Sequence, residues 1–225
     1  MTHFSRWPQR LAAWTLLGAS FAAQAAIDQA ILGAVMQDRA PLIAQLAARG
    51  ADLNGADARG NAPLHVAILQ ESWQAAQALA GLPGTDVNRA NASGETPLML
   101  AALKGRLELV QQLIARDAYV NREGWTPLHY AASGGQAGQP AIVRLLLDHY
   151  AFINARSPNE TTPLMMAAGY GSIEVVRLLI DEGAFVDVRN QQGMSALDFA
   201  QRANRADVAE VITRAQRAAF TQGHW

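Results

Sequence analysis

Few side chains in this sequence have the type and spacing that catalysis or metal binding requires. His149 precedes Tyr150 and has no His or Glu partner at the spacing of a metal site. The chain contains no cysteine, which excludes a disulfide scaffold, a thiolate zinc site and a catalytic thiol. We therefore expect no metal ion and no cofactor.

Nucleophilic chemistry is equally poorly supported. The chain has no Gly-x-Ser-x-Gly segment, which would mark an activated serine on a sharp turn. The glycine-containing stretches at 134–138 and 169–171 lack the full spacing of a phosphate-binding loop, and helix ends explain them better. The sequence predicts no catalytic residue and no enzymatic activity. An Asp, His and Ser assembled from distant positions is the alternative that one sequence leaves open.

The charge balance argues against nucleic acid as a partner. The chain has 18 basic and 19 acidic residues, with a formal net charge of -1. A protein that binds the phosphate backbone usually carries a clear basic excess on one face. We expect no nucleic-acid binding.

The first 25 residues have the organisation of a secretory signal peptide. Arg6 and Arg10 precede an uncharged stretch over 11–23, which is shorter than the roughly 20 residues that span a bilayer. A small-x-small pattern ends at Ala25, so we place the cleavage between Ala25 and Ala26. The prediction is export to a bacterial periplasm, with no membrane insertion after cleavage. Secretion and an uncleaved membrane anchor are the alternatives.

A repeat organises the remainder, residues 26–225. Thr-Pro-Leu-Met begins at Thr96 and Thr162, and Thr-Pro-Leu-His begins at Thr126. Weaker copies begin at Ala62 and Ser195, so the starts 62, 96, 126, 162 and 195 are separated by 34, 30, 36 and 33 residues. A period near 33 predicts a stacked array of similar units in place of one closed core.

Each unit has the signals of two short helices. Thr suits the position before the first helix because its hydroxyl accepts a backbone N–H, and Pro suits the first helical position. Gly105 and Gly171 follow and are expected to end this helix in the left-handed conformation. A second helix carries an apolar stripe at i, i+3 and i+4, such as Val143, Leu146 and Leu147.

These residues, together with endings such as Gly50-Ala51-Asp52-Leu53-Asn54, resemble ankyrin repeats. The resemblance implies an all-α repeat solenoid of helix-turn-helix pairs joined by β-hairpin fingers, with a concave face that binds other proteins. It also implies that His65 and His129 make structural hydrogen bonds to the fingers. Both ends of the array are atypical, as capping repeats require. Six units fit, at about 26–54, 55–88, 89–121, 122–154, 155–187 and 188–217, with a tail over 218–225.

The fourth unit departs from the pattern. The finger before Thr126 is three residues shorter than the others, and Gly124 and Trp125 form its tip. The segment 133–140 is about three residues longer than the corresponding stretch of its neighbours. Tyr150 occupies the place that ends the second helix, where Gly50 and Gly183 stand in other units. A left-handed conformation there costs a bulky residue roughly 1–2 kcal/mol. Function and sequence drift are both open explanations.

The family resemblance implies that partners bind the fingertips and the exposed ends of the first helices. Trp125 and Tyr170 stand out, because aromatic side chains dominate interface energetics; packing against a neighbouring finger is the alternative for both. Trp73 is expected in the core. The predicted partner-binding residues are Arg59, Asn61, Glu95, Lys104, Trp125, Arg156, Tyr170 and Met194.

The sequence therefore predicts a monomeric exported scaffold that binds one protein partner, whose identity it does not specify. Two alternatives are a chaperone-like stabiliser or inhibitor of an exported enzyme, and a secreted effector that acts on a host protein.

Overall fold

The computed structural model describes residues 26–221. The predicted signal peptide at 1–25 and the last residues of the tail lie outside this range. Within it the chain forms twelve α-helices and no named strand. The helices are α1 Gln29–Met36, α2 Ala40–Ala48, α3 Pro63–Leu69, α4 Trp73–Gly81, α5 Pro97–Leu103, α6 Leu107–Ile114, α7 Pro127–Ser133, α8 Gln139–Asp148, α9 Pro163–Tyr170, α10 Ile173–Asp181, α11 Ala196–Arg202 and α12 Ala206–Thr221.

The twelve described helices form six pairs that stack in chain order. Each odd-numbered helix packs on the next odd-numbered one, and the even-numbered helices form a second layer in the same way. Small residues such as Ala101, Ala131 and Ala167 are fully buried in the first layer, which lets its helices approach closely. The buried aliphatic residues of the second layer, such as Leu113 and Leu146, complete one continuous core. The predicted all-helical repeat solenoid is confirmed.

The threonine caps form largely as expected. Thr96 Oγ1 accepts the backbone N–H of Met99 at 3.4 Å, and Thr162 and Ser195 make equivalent bonds to their own first turns. Thr126 differs, since its hydroxyl lies 2.9 Å from Nδ1 of His129 and donates to the ring instead. The cause is the neighbouring imidazole, which is a better acceptor than the methionine sulfur at this place in α5.

The two glycines expected to end first helices act by different physical means. Gly105 has the predicted left-handed conformation, with φ of 69°. Gly171 does not, because its φ is -81°. A Cβ at Gly171 would lie 2.1 Å from the carbonyl oxygen of Ala132, so glycine is required there by the close approach of a neighbouring backbone.

The fingers are tight turns, and the described residues contain no hairpin strands. Four of the five fingers are closed by two backbone hydrogen bonds each, as from Asn190 N to Met194 O at 3.0 Å and from Gly193 N to Asn190 O at 2.9 Å. The bridge between Ala26 and Ala56 is isolated. Side-chain bonds to backbone N–H groups, such as those that Asn190 Oδ1 accepts from Gln192 and Met194, replace the missing ladder.

Asparagines at the repeat ends tie each unit to the next. Asn121 Nδ2 donates to the carbonyl oxygen of Tyr150 at 2.7 Å, and Asn121 Oδ1 accepts the N–H of Phe152 at 2.8 Å. Asn88 makes the same two bonds to the ending of the third unit. Tyr150 is left-handed, with φ of 62°, so the helix end keeps its usual geometry despite the bulky side chain. The asparagine clamp holds this conformation in place.

The three extra residues in the fourth unit are used to fill space between repeats. Gln139 is fully buried, and its Nε2 donates to the carbonyl oxygen of Leu103 at 2.8 Å. Gly134 makes room for this amide, since a Cβ there would lie 1.7 Å from Gln139 Nε2. Gln136 packs in the same way over Gly105. The insertion therefore joins α7 and α8 to the preceding unit.

Trp73 was expected in the core, but it is only half-buried. It packs against the core from the start of α4. The guanidinium carbon of Arg106 lies 4.3 Å from the centroid of its ring, which places a cation on the exposed side. Leu107 and Ile173, at the same place in other repeats, are also half-buried, so the position itself lies at the edge of the core.

Candidate functional site

A cavity of about 630 Å³ lies where the last three fingers meet α9 and α11. We call the surface made by the fingers and the odd-numbered helices the inner face. Its aromatic and methionine side chains supply apolar area, and its finger side chains supply amide and hydroxyl groups. The lining residues are Trp125, Asn159, Thr161, Met166, Gly169, Tyr170, Asn190, Gln192, Met194, Phe199, Arg202 and Ala203.

A second depression of about 190 Å³ adjoins this cavity. It is lined by Leu103, Trp125, His129, Tyr130, Ser133 and Met166. Trp125 and Met166 line both cavities, so the two form one groove that crosses the last three repeats. We call this continuous surface the inner groove.

Trp125 lies at the centre of the inner groove and is held by its neighbours. Its ring meets the imidazole of His129 edge-on, with the ring centroids 5.2 Å apart. Gly124 has a φ of 79° and turns the backbone at the tip of the shortened finger. Trp125 therefore stands two residues before the start of α7. One edge of the indole therefore packs on the fold, while the rest of the half-buried side chain lines the groove.

The far end of the inner groove combines exposed apolar area with a cation. Tyr170 is 64% exposed at the end of α9. Arg202 Nη1 lies 2.8 Å from the sulfur of Met194 and, among the described residues, forms no ion pair. Arg202 is also the one cationic side chain among the groove-lining residues. A thioether is a weak acceptor, so most of this guanidinium's hydrogen-bonding capacity is free for a ligand.

The structure brings three of the predicted partner-binding residues together in the groove, namely Trp125, Tyr170 and Met194. Two other predicted residues lie elsewhere and are paired. Lys104 Nζ lies 2.8 Å from Glu71 across neighbouring repeats, and Arg156 forms an ion pair with Glu160 on its own finger.

The remaining three predicted residues support the earlier fingers. Asn61 is 6% exposed and bonds to Asp57 and Asn91, so its side chain joins two fingers and does not face solvent. Arg59 bonds through its backbone to the next finger. Glu95 accepts hydrogen bonds from Asn91 and from the hydroxyl of Tyr130.

The Tyr130 hydroxyl is held in its neutral form. Burial raises its pKa to about 12, and the carboxylate of Glu95 adds to the shift. The hydrogen bond between Tyr130 and Glu95 links the finger of the third repeat to α7 beside the smaller cavity.

The two repeat histidines make the structural bonds that the family resemblance implies. His129 Nδ1 accepts the backbone N–H of Thr126 at 3.2 Å, and Nε2 donates to the carbonyl oxygen of Thr161 at 2.9 Å. His65 bonds to Ala62 and Glu95 in the same way. Burial lowers the pKa of His129 to about 4, so its ring is neutral at pH 7. Both ring nitrogens are occupied, which leaves neither free for proton transfer.

No group of three or more His, Asp or Glu side chains within residues 26–221 could hold a metal ion. None of the described helices is both long enough and apolar enough to cross a bilayer.

The sequence contains a signal for the groove lining that lies one residue beyond the repeated tetrapeptide. Tyr130, Met166 and Phe199 each stand four residues after the start of the tetrapeptide, and all three line the groove. The same place holds Val66 and Leu100 in earlier repeats. Tyr130, Met166 and Phe199 are half-buried, whereas Val66 and Leu100 are buried.

The fold and the groove define a class of protein: a helical repeat solenoid with a preformed interaction surface. The family model for ankyrin repeats matches residues 72–157 and 138–221. The chain therefore belongs to the ankyrin repeat family. Ankyrin repeats suggest a scaffold for protein–protein interaction.

Comparison with curated proteins gives partial matches to much longer chains. The 2-5A-dependent ribonuclease of Homo sapiens is 44% identical over 71 residues, which is 30% of this chain and 9% of that protein. The Mus musculus enzyme of the same name is 44% identical over 68 residues, 28% of this chain and 9% of that protein. The Homo sapiens transient receptor potential cation channel subfamily A member 1 is 26% identical over 185 residues, 78% of this chain and 16% of that protein. The chain thus spans between 9% and 16% of the length of these relatives.

Proposed function

We propose that this chain is a non-catalytic scaffold that binds one protein partner in the inner groove. The observation that carries the proposal is the convergence of Trp125, Tyr170 and Met194 with Met166 and Phe199 on one concavity. Aromatic and methionine side chains are enriched at interface centres, where they bury large areas at low entropic cost. The groove is built on packed helices and closed fingers, so little ordering is required on binding.

The groove favours an anchor of particular chemistry. Its apolar lining suits a hydrophobic side chain, and Arg202 suits a carboxylate beside it. The exposed side-chain amide of Gln192 can bond to a peptide backbone. An extended or turn segment that carries an apolar residue next to an acidic group meets all three requirements.

The groove is tested by placing a photo-crosslinking amino acid at Tyr170 in the cell that produces the protein. The captured protein is identified by mass spectrometry, purified and titrated against the parent chain. We expect the double variant Trp125→Ala and Tyr170→Ala to keep its thermal melting and to lose at least about 2 kcal/mol of binding free energy. The matched control is Tyr150→Ala with Met36→Ala, which removes two exposed side chains outside the groove. Equal affinity of parent and groove variant would contradict the proposal.

We also propose that the scaffold is exported to the bacterial periplasm and acts there as a monomer. The support is the pattern over 1–25, where a basic stretch precedes 13 uncharged residues and a small-x-small ending. Mass spectrometry of the protein from a periplasmic extract should find an N-terminus at Ala26. An intact N-terminus in the cytoplasmic fraction would refute export, while recovery from the culture medium would favour the secreted effector.

A chaperone-like stabiliser or inhibitor of an exported enzyme is the second candidate function. It shares the groove and differs in the consequence of binding. If the crosslinked partner is an enzyme, its activity and half-life are measured with and without the scaffold. A change in either quantity that the groove variant fails to produce would support this role.

A further inference from the structure

Three exposed aromatic side chains stand at equivalent places in consecutive repeats, on the loops that follow the second-layer helices. Tyr119, Phe152 and Phe185 are 64%, 66% and 62% exposed. We call these three residues the aromatic ladder. The corresponding residues of the first two repeats are Asp52 and Asp86. None of these residues lines the inner groove, so the ladder is a separate feature of the third, fourth and fifth repeats.

Hydrogen bonds from backbone N–H groups hold the three residues of the aromatic ladder at equivalent positions in their repeats. The N–H of Tyr119 donates to Asn88 Oδ1 at 2.7 Å, and the N–H of Phe152 donates to Asn121 Oδ1 at 2.8 Å. Phe185 bonds to Asn154 in the same way, at 2.9 Å. Each ring is thus attached to a backbone position that repeats with the solenoid, at a spacing set by helix packing.

The surroundings of the ladder are electronegative. The helices α6, α8 and α10 all end just before these loops, and helix C-termini carry partial negative charge. The ends of these helices and the loops after them also carry exposed carboxylates that form no ion pair within residues 26–221. They are Asp117, Asp148, Asp181 and Asp187.

The basic side chains near the ladder are already occupied. Arg116 Nη1 donates to the carbonyl oxygens of Ala80 and Leu82, at 2.6 and 2.9 Å. Arg144 forms an ion pair with Glu182. The carboxylates of the strip are therefore not neutralised by these arginines, and the exposed ring faces are themselves attractive to cations. The contact between Arg106 and Trp73 shows that this fold already uses such a cation–aromatic pair.

The spacing of the rungs defines the shape of the ligand. Helices that pack side by side lie about 8–10 Å apart. A polyproline II segment advances about 3.1 Å per residue with three residues per turn, so every third side chain returns to the same face after about 9 Å. We propose that the aromatic ladder binds an extended cationic segment of a partner protein, with Arg or Lys at every third position.

The test uses the full chain and a fluorescent peptide of four Arg-Pro-Pro units, with fluorescence anisotropy as the readout. We expect saturable binding that weakens at least about tenfold in the variant Tyr119→Ala, Phe152→Ala and Phe185→Ala. The rings are exposed, so the variant should keep the parent's circular dichroism and melting temperature. The groove variant Trp125→Ala with Tyr170→Ala is the matched control and should bind the peptide as the parent does.

Two further peptides and two other occupants complete the design. Peptides of four Glu-Pro-Pro units and of four Arg-Pro-Pro-Pro units should bind at least about tenfold more weakly, because charge sign and spacing are both required. Equal binding of either peptide, or of the triple variant, would overturn the proposal. Ladder-dependent self-association in sedimentation would overturn it in favour of a second copy of the chain. Ladder-dependent binding to phosphatidylglycerol vesicles, with no binding of the Arg peptide, would overturn it in favour of a membrane.

Discussion

At the scale of single residues, the repeat histidines couple stability to pH. The folded His129 has its pKa lowered to about 4 by burial, against an ordinary value of 6.5. In the unfolded chain the same ring takes up a proton as the pH falls below 6.5. Its contribution to the free energy of unfolding is therefore complete above pH 6.5 and is lost as the pH falls towards 4. The loss amounts to about 3 kcal/mol.

The chain itself offers the variant that tests this. Met99 and Met165 occupy the place of His129 in neighbouring repeats, and each sulfur lies 3.4 Å from the equivalent backbone nitrogen, that of Thr96 or Thr162. We expect His129→Met to lose about 1 kcal/mol at pH 7.5, because the bond to Thr161 disappears. Between pH 7.5 and 4.5 the variant should lose less stability than the parent. Urea unfolding at both pH values measures this, and parallel losses would exclude His129 as the cause.

Tyr150 is a second residue whose conformation determines stability. Its φ of 62° disfavours a side chain, and its side chain is 85% exposed, so little packing offsets the strain. We expect Tyr150→Gly to stabilise the protein by up to about 1 kcal/mol, less the entropic cost of glycine in the unfolded chain. Tyr170→Gly is the control, since Tyr170 is helical and similarly exposed, and it should destabilise by up to about 1 kcal/mol. Thermal melting that falls in both variants would contradict the strain argument.

Residue types alone predicted the site only in part. Trp125, Tyr170 and Met194 were chosen for their chemistry and their place in the repeat, and they do line one groove. Asn61 was chosen by the same rule but is buried between two fingers. A finger side chain either faces the groove or is buried against a neighbouring finger, and hydrogen bonds between the fingers determine which of the two occurs. One repeat's sequence does not contain that information.

At the scale of the helices and loops, the sequence predicted the helix pairs well because caps and apolar stripes are local signals. The loops were harder. The expected hairpin strands are tight turns, and Gly171 meets a backbone from another repeat instead of adopting a positive φ. Both outcomes depend on contacts between units. Segment 133–140 shows the same limit, since its length was evident but the burial of Gln139 was not.

The inserted segment 133–140 is tested by two adjacent glycines. Gly134→Ala would place a Cβ 1.7 Å from Gln139 Nε2, which must move and abandon its bond to Leu103. We expect a loss of about 1–3 kcal/mol in the free energy of unfolding, because a buried amide and a buried carbonyl then lack partners. Gly135→Ala is the control, as nothing lies within 4 Å of its added Cβ. Chemical denaturation of both variants measures the difference, and equal stabilities would show that Gln139 repacks freely.

At the scale of the whole molecule, the solenoid concentrates its aromatic surface in the later repeats. The inner groove and the aromatic ladder both lie between the third and the sixth repeat, on different sides of the same stacked units. The period of about 33 residues predicts a stacked array of similar units, and the surfaces of such an array extend over several repeats. Their exact composition follows from the register of neighbouring repeats, which places side chains from three units around one cavity.

Stacking also determines how the molecule unfolds. The substantial contacts between the described helices all lie within one unit or between adjacent units, so stability is distributed as a sum over repeats and their interfaces. Leu146 and Ile212 are both fully buried, but Leu146 lies in the fourth repeat and Ile212 in the last. We expect Leu146→Ala to cost about 2–5 kcal/mol and to increase amide hydrogen exchange in the repeats on both sides. We expect Ile212→Ala to lower the free energy of unfolding of the last repeat by a similar amount. Amide hydrogen exchange should then rise mainly in α11 and α12, because only one neighbouring repeat shares that interface. Identical exchange patterns in the two variants would show that the described repeats unfold as a single cooperative unit.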